Sequence, residues 1–175
     1  AKGAELVVRH LIELGHRDIA FLGGLEYMNT TRVKVKAVRK VLKEHGLDLP
    51  PERVKYGEFS IQAGRALMDQ LLASPKRPTA VMCVNDFTAV GAVKSASEHG
   101  LRIPDDISIA GFDGTPLSEA VIPELTTVSQ HAYELGKLAV ESLHKLISGE
   151  KVKKQAVLEP RLIVRQSTGP VKKVY

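Results

Sequence analysis

The sequence predicts an α/β fold in which a parallel sheet carries helices on both faces. Four short runs are read as strands, and the first of them, Ile19 to Leu22, is apolar on both faces, which is typical of a strand covered by helices on each side. Longer segments with apolar residues at helical spacing separate these runs. Because a parallel return needs a connection of helix length, the alternation predicts right-handed crossovers within one sheet. The four predicted strands are residues 19–22, 54–56, 79–84 and 107–112.

Glycine and proline residues mark the ends of the predicted helices. Gly15, Gly46 and Gly100 each follow the last apolar position of a helical pattern, where a left-handed cap is favoured. Pro75 and Pro78 close the third pattern, since proline cannot continue a helix. The positions expected to face the core are Ala4, Val7, Leu11 and Leu14, then Val33, Ala37, Val41 and Leu42, then Ala63, Leu67 and Leu71, and then Ala89, Val93 and Ala96.

The alternation of strands and helices stops after residue 112. A loop with two prolines leads to a short extended segment at 126–129. Residues 131–147 then carry Leu135, Leu138 and Leu143 on one stripe, which predicts a long amphipathic helix. A fifth strand is predicted at 162–164.

Composition favours one soluble globular domain of 175 residues. The formal net charge is +5, and the basic residues are spread over a helix, the tract 151–154 and the C-terminus, which predicts solvated surfaces rather than a nucleic-acid site. The single cysteine, Cys83, lies inside an apolar run, so a reducing, cytoplasmic compartment is expected. No apolar run approaches the roughly 20 residues of a membrane helix. The chain begins within a helical pattern, so we expect a fragment.

Polar residues follow two of the predicted strands directly. Asn85 and Asp86 come after the third strand, and Asp113 follows the fourth. Since parallel strands end at the same edge of a sheet, this arrangement predicts a small-molecule site there. The six histidines lie on separate elements without metal-ligand spacing, and no glycine-rich phosphate loop is present, so neither metal nor cofactor is expected. Without a nucleophile, base and orienting group, binding is favoured over catalysis.

Several motifs occur in the order found in one known family. The chain resembles the effector-binding core of the LacI/GalR family of bacterial transcription regulators, which shares the type I periplasmic sugar-binding fold. The matching residues are Gly15-His16-Arg17 with Ile19-Ala20-Phe21, Arg32, Arg77-Pro78-Thr79-Ala80, Asn85-Asp86, Gly100-Leu101, Pro104-Asp105-Asp106-Ile107-Ser108, Gly111-Phe112-Asp113, Pro123, Leu125-Thr126-Thr127-Val128, Gln130 and 162–167.

The resemblance implies a particular division of the chain. Residues 1–128 and 158–167 correspond to the C-terminal effector-binding subdomain, and residues 129–157 to a crossover helix that normally packs on the N-terminal subdomain. The helix-turn-helix and the first half of the N-terminal subdomain are missing. We therefore expect helix 131–147 to dock on this domain or on a second copy, because its leucines gain ~1.5 to 3 kcal/mol each on burial.

The resemblance also assigns ligand-binding residues, each with an alternative. Asp113 and Asn85 are expected to hydrogen-bond ligand hydroxyls, although either residue type can cap a turn or helix, and Asp86 is expected to cap the helix after Asn85. Arg32 is expected to face the interdomain cleft, with an exposed helix arginine as the alternative. Phe59 is expected to stack on a ligand ring or to fill the core. Gln130 contacts the ligand or holds the hinge.

Two residues before Arg32 bear on the kind of ligand expected. Met28 is apolar and Glu26 is acidic, which makes a phosphorylated effector less favourable than a neutral sugar or nucleoside-like one. Gly114 departs from the second aspartate that relatives often carry after Asp113, so one hydrogen-bond acceptor is lost.

A dimer interface is the second role that the resemblance implies. Val90, Leu117, Val121 and Ile122 form the expected apolar patch, with closure of the domain's own core as the alternative. The implied protein is a ligand-sensing homodimer that contacts DNA only through a missing N-terminal domain. A periplasmic sugar-binding protein of the same fold is the alternative, and an enzyme is the least favoured class.

Overall fold

The computed structural model describes residues 1–152 and 155–172 and confirms the predicted fold class. Four parallel strands form one sheet in the order β2-β1-β3-β4, and a separate ribbon pairs β5 with β6. The helices are α1 (Lys2–Glu13), α2 (Asn29–Glu44), α3 (Ile61–Leu72), α4 (Asp86–Glu98), α5 (Leu117–Ala120) and α6 (Ala132–Ile147). The strands are β1 (Ile19–Gly23), β2 (Val54–Tyr56), β3 (Ala80–Cys83), β4 (Ser108–Ala110), β5 (Thr127–Ser129) and β6 (Arg161–Ile163).

The central strands β1 and β3 are buried on both faces, which explains why they are apolar without alternation. Phe21 and Met82 face the side covered by α1 and α2. Leu22 and Val81 face the side covered by α3 and α4. Successive side chains of a strand point to opposite faces, so each strand contributes to both apolar layers.

Helices α3 and α4 approach each other closely through two glycines. A Cβ atom at Gly64 would lie 2.2 Å from the carbonyl oxygen of Thr88, and one at Gly91 would lie 2.1 Å from the carbonyl oxygen of Ile61. Both obstacles are backbone atoms, which cannot rotate away. This contact therefore fixes the position of α4 and of Asn85, the residue that precedes it.

The predicted fifth strand does not extend the main sheet. β6 pairs antiparallel with β5, with Val128 opposite Leu162, and β5 meets the end of β4 only through isolated bridges such as Ala110 with Thr126. The segment at Ser167 lies along the outer edge of β4 instead, where its carbonyl oxygen accepts a hydrogen bond from the backbone nitrogen of Ile109.

Helix α6 does not pack on its own domain, so that part of the expectation is wrong. None of its residues is buried, and Leu135, Leu143 and Ile147 are 50%, 57% and 79% exposed. Docking on a second copy stays a prediction. Among the described residues, no helix is both long and apolar enough to cross a membrane.

The predicted inward face of α2 is wrong at one position. Val33 is 38% exposed, whereas Val35 and Val38 are buried. Ala37, Val41 and Leu42 are buried as predicted, and the buried face also includes Val35 and Val38, so Lys34 lies beside it rather than on the solvated side.

Candidate functional site

Four of the five predicted ligand-binding residues meet at the carboxyl edge of the sheet. Phe59, Asn85, Asp113 and Gln130 line one depression of about 430 Å³. Its remaining lining includes Val84 and Phe112 from the ends of β3 and β4, and α2 closes one side with Asn29, Thr30, Val33 and Lys34. The expectation that polar residues after neighbouring strands lie together therefore holds for Asn85 and Asp113.

Asp113 is held in a defined orientation by its backbone and by Gln130. Its φ angle is 112°, a conformation that is costly for a residue with a side chain and that is tolerated where surrounding contacts enforce it. The Nε2 group of Gln130 donates to its Oδ1 at 2.6 Å. Burial raises the pKa of Asp113, and the nearby charge of Lys34 opposes this shift. One carboxylate oxygen is thus anchored while the group stays at the surface of the depression.

The glycine after Asp113 is required by the backbone. Gly114 has a φ angle of 68°, and a Cβ atom there would lie 2.9 Å from the Cα atom of Ser129. An aspartate at this position would meet both obstacles. The second aspartate that relatives often carry after Asp113 is therefore excluded here, because this loop approaches β5 too closely for a side chain.

The prediction that Asp86 caps α4 is wrong, and ligand contact by Asn85 stays a prediction. Asn85 is the residue that caps α4, since its Oδ1 accepts from the backbone nitrogen of Thr88 at 2.8 Å. Asp86 is fully buried and accepts from the backbone nitrogen and hydroxyl of Thr115 and from the hydroxyl of Thr127. The reason is geometric: Asn85 has the extended backbone of a capping residue, and Asp86 is already helical.

The cap leaves part of the Asn85 amide available. Its Oδ1 is used by the helix, and among residues 1–152 and 155–172 its Nδ2 group has no acceptor. Because Asn85 lines the depression, the two N–H groups of Nδ2 can donate to a bound ligand.

Lys34 is a site residue that the sequence analysis missed. Its Nζ donates to the carbonyl oxygen of Val84 at 2.7 Å and lies 3.6 Å from the centroid of the Phe112 ring. Burial lowers the pKa of Lys34, and the carboxylates of Asp113 and Asp86 oppose that shift. The signal was present in the sequence, because Lys34 is four residues before the buried Val38 at helical spacing.

Phe59 packs against the core and also lines the depression, and its stacking on a ligand ring stays a prediction. Its ring is half-buried and packs against the core, and a Cβ atom at Gly24 would lie 2.1 Å from its Cζ atom. The same ring lines the depression. Phe59 is therefore a wall of the site that is held in place by the loop after β1.

The structure does not bring Arg32 to this depression. Its Nε group donates to the carbonyl oxygen of Glu26 at 3.2 Å. Arg32 lies instead in a separate depression with Lys36, Arg39 and Tyr56. Ligand contact by Arg32 stays a prediction.

The predicted dimer patch is only partly exposed. Ile122 is 90% exposed, whereas Val90, Leu117 and Val121 are partly buried. Val90 and Val121 pack against the apolar layer between the sheet and α3 and α4. These two residues contribute to the domain's own core as well as to the surface.

The described residues contain no group of three histidine, cysteine, aspartate or glutamate side chains that could hold a metal ion. Cys83 is fully buried, as predicted, and its surroundings raise the pKa of its thiol far above the usual range. The chemistry that the described site offers is hydrogen bonding from Asn85, Lys34, Gln130 and Asp113, together with the aromatic surface of Phe59.

Comparison with known proteins agrees with this architecture. A family profile for the periplasmic binding protein-like domain matches residues 8–168. The HTH-type transcriptional repressor PurR of Pasteurella multocida (strain Pm70) is 38% identical over 168 residues, which cover 95% of this chain and 50% of the repressor. The HTH-type transcriptional repressor CytR of Escherichia coli (strain K12) is 36% identical over 92% of this chain and 48% of its own length.

Solved structures show the same relationship. A dimeric Lac repressor with an 11-residue C-terminal deletion superposes with a TM-score of 0.89 at 34% identity, covering 97% of this chain and 62% of that one. The Escherichia coli transcriptional repressor ascG superposes with a TM-score of 0.88 at 26% identity, covering 95% and 61%.

The fold and the profile match together define the class: the chain belongs to the periplasmic binding protein-like domain family. Within that class it is part of an effector-binding core of the LacI/GalR type, as the resemblance implied. The chain spans about half the length of the repressors to which it is similar.

Proposed function

We propose that this chain is the ligand-sensing and dimerisation part of a bacterial transcription regulator. The observation that carries the proposal is the convergence of Asn85, Asp113, Gln130 and Lys34 with the Phe59 ring on one depression at the carboxyl edge of the sheet. Ligands of open α/β sheets bind at this edge. The similarity to repressors supports a regulator.

The ligand that fits this wall is a neutral polyhydroxy compound, such as a sugar or a nucleoside-like molecule. Among the described side chains that line the depression, Lys34 and Asp113 carry charge, and their charges are opposite. The wall therefore offers both donors and acceptors without an excess of either sign. Hydroxyl groups match such a surface because each can donate and accept.

The depression forms one wall of an interdomain cleft in this proposal. Residues 1–128 with 158–167 form the subdomain that carries the wall, and residues 129–157 cross towards a companion lobe. Gln130 lies at the start of that crossing and already contacts Asp113. Ligand binding then favours one relative orientation of the two lobes over the other. A DNA-binding head outside this chain reads the orientation, and such a regulator acts in the cytoplasm.

The test is a thermal-shift screen of sugars and nucleosides on the longer polypeptide that contains both lobes, followed by calorimetry with any hit. The Asp113→Asn and Asn85→Ala variants are expected to weaken binding at least tenfold, since each removes a hydrogen bond made in a partly enclosed site. This chain alone is expected to bind the same ligand weakly, because half of the contacts are absent. Micromolar binding by this chain alone would refute the two-wall proposal.

Two rival functions have separate tests. A periplasmic sugar-binding protein shares the fold, and the sequence upstream of Ala1 would then encode a secretory signal rather than a helix-turn-helix. The similarity to repressors favours the regulator. An enzyme is disfavoured, because repressors are not catalysts, and we expect no turnover in a broad screen of hydrolase and kinase substrates.

A further inference from the structure

The excess positive charge of this protein is concentrated on one helix. α2 carries six of the 25 lysine and arginine residues and one of the 20 aspartate and glutamate residues. The rest of the chain therefore contains nineteen of each and is balanced. Basic residues also occur in the tract 151–154 and at the C-terminus, but α2 alone accounts for the net excess of +5.

Four of the six cations form a stripe along the exposed face of α2. Arg32, Lys36, Arg39 and Lys43 follow one another at intervals of four, three and four residues, so they lie on one face of the helix. All four are exposed. With a rise of 1.5 Å per residue, the stripe is about 16 Å long. We call these four residues the basic stripe.

The basic stripe has no internal counter-charge in the part of the chain that the structure describes. No carboxylate lies within 4 Å of any of its four cations. Lys40, on the flank of the same helix, shows the contrast, since it pairs with Glu5 at 3.4 Å and with Glu44 at 3.9 Å. Like charges three or four residues apart destabilise a helix, so the stripe is a cost to α2 in isolation.

A depression of about 290 Å³ lies beside the stripe. Tyr56, Val35 and Glu26 line it together with three members of the stripe, Arg32, Lys36 and Arg39, so cations outnumber carboxylates at its wall by three to one. The depression is large enough for one side chain of a partner, and its tyrosine ring and valine give it an apolar portion.

We propose that the basic stripe is the docking surface for an acidic helix of a partner protein. Carboxylates repeated at three and four residues on one face of a helix have the same spacing as the four cations, so the two helices can pair charge by charge along about 16 Å. An apolar residue between the carboxylates enters the depression beside Tyr56. Nucleic acid is the less favoured occupant, because Tyr56 is the aromatic residue at this surface and it is half-buried rather than free to stack on bases.

The test uses a synthetic amphipathic helical peptide with four glutamates at the spacing of the stripe and one central leucine. Its affinity for the protein is measured by fluorescence anisotropy at about 0.1 M ionic strength, where charges farther apart than ~10 Å are screened. The Lys36→Glu/Arg39→Glu variant is expected to bind the peptide at least tenfold more weakly, because two attractive surface pairs become repulsive. A peptide of the same composition with scrambled order is expected to bind as weakly.

The matched control is Arg77→Glu/Lys94→Glu, which changes the net charge by the same amount at exposed residues that lie outside α2. This control is expected to retain peptide binding within about threefold, because the stripe is intact. Three outcomes would each overturn the proposal. The two variants lose peptide affinity equally, or the scrambled peptide binds the protein as tightly as the designed one. The third is that random-sequence duplex DNA binds more tightly than the peptide and that only the α2 variant loses this binding. Arg32 is left unchanged so that a failure here is independent of the ligand site.

Discussion

The close approach of α3 and α4 makes a quantitative prediction for Gly91→Ala. The added Cβ would lie 2.1 Å from the carbonyl oxygen of Ile61 and 2.6 Å from the backbone nitrogen of Arg65, so the two helices have to separate by about 1 Å to reach ordinary contact. Overpacking of this kind costs roughly 1 to 3 kcal/mol, and the alanine returns up to ~1 kcal/mol of helix propensity. Because both obstacles are backbone atoms, we place the cost at the upper end of this range, about 3 kcal/mol, and expect a net loss of about 2 kcal/mol in the free energy of unfolding.

Urea unfolding followed by circular dichroism measures this loss as a lower midpoint with an unchanged slope. Gly136→Ala in α6 is the matched control, because no atom lies within 4 Å of the added Cβ there. The control is expected to keep the midpoint and to increase the helical signal, since alanine favours helix over glycine. A Gly91→Ala protein as stable as the wild type would refute the packing argument. Displacement of α4 also moves its capping residue Asn85, so ligand affinity should fall with stability.

Three further predictions concern charge and assembly. The pKa of Asp113 is raised in the folded state, so the wild type loses stability as this carboxyl group ionises with rising pH. The Asp113→Asn variant has no such loss and should therefore gain stability relative to wild type as the pH rises from 4 to 7. A difference in urea midpoints that stays constant over this pH range would contradict the argument. The side chain of Arg53 is 7% exposed and donates to both carboxylate oxygens of Asp18, at 2.6 and 2.8 Å. The Arg53→Met variant should therefore lose about 2 kcal/mol of unfolding free energy in the same urea assay. An unchanged midpoint would show that the ion pair contributes nothing that methionine cannot replace. Ile122→Asp should lower the molecular mass in sedimentation without loss of stability, because Ile122 is 90% exposed; an unchanged mass would remove this residue from the dimer interface.

The sequence predicts those parts of the fold whose structure follows from the residues of a single segment, without contacts to distant segments. The apolar runs around Phe21 and Met82 contain enough apolar residues for both faces of a strand, and the structure buries both. Asn85 and Asp113 follow these runs directly, so the edge at which they lie follows from parallel topology.

Two of the differences between prediction and structure depend on contacts between distant segments, and a third, at Lys34, is local. Asp86 accepts a hydrogen bond from the hydroxyl of Thr127, which lies 41 residues further along the chain. Nothing in the residues around Asp86 distinguishes this hydrogen bond from a helix cap. β6 pairs with β5 because the chain reverses after α6, which apolar periodicity does not reveal. Lys34 was assigned to the solvated face by its charge alone, although its spacing from Val38 placed it on the buried side.

The three hydrogen bonds accepted by Asp86 have a mechanical consequence. They join the start of α4 to the loop that contains Thr115 and to β5 at Thr127. Asp86 and Thr127 are fully buried, and Thr115 is half-buried. Displacing any one of these segments would leave the buried carboxylate of Asp86 with fewer hydrogen bonds, which is costly away from water, so we expect the three segments to move together as one block. The chain leaves this block after β5, where the backbone of His131 is left-handed with a φ angle of 54°.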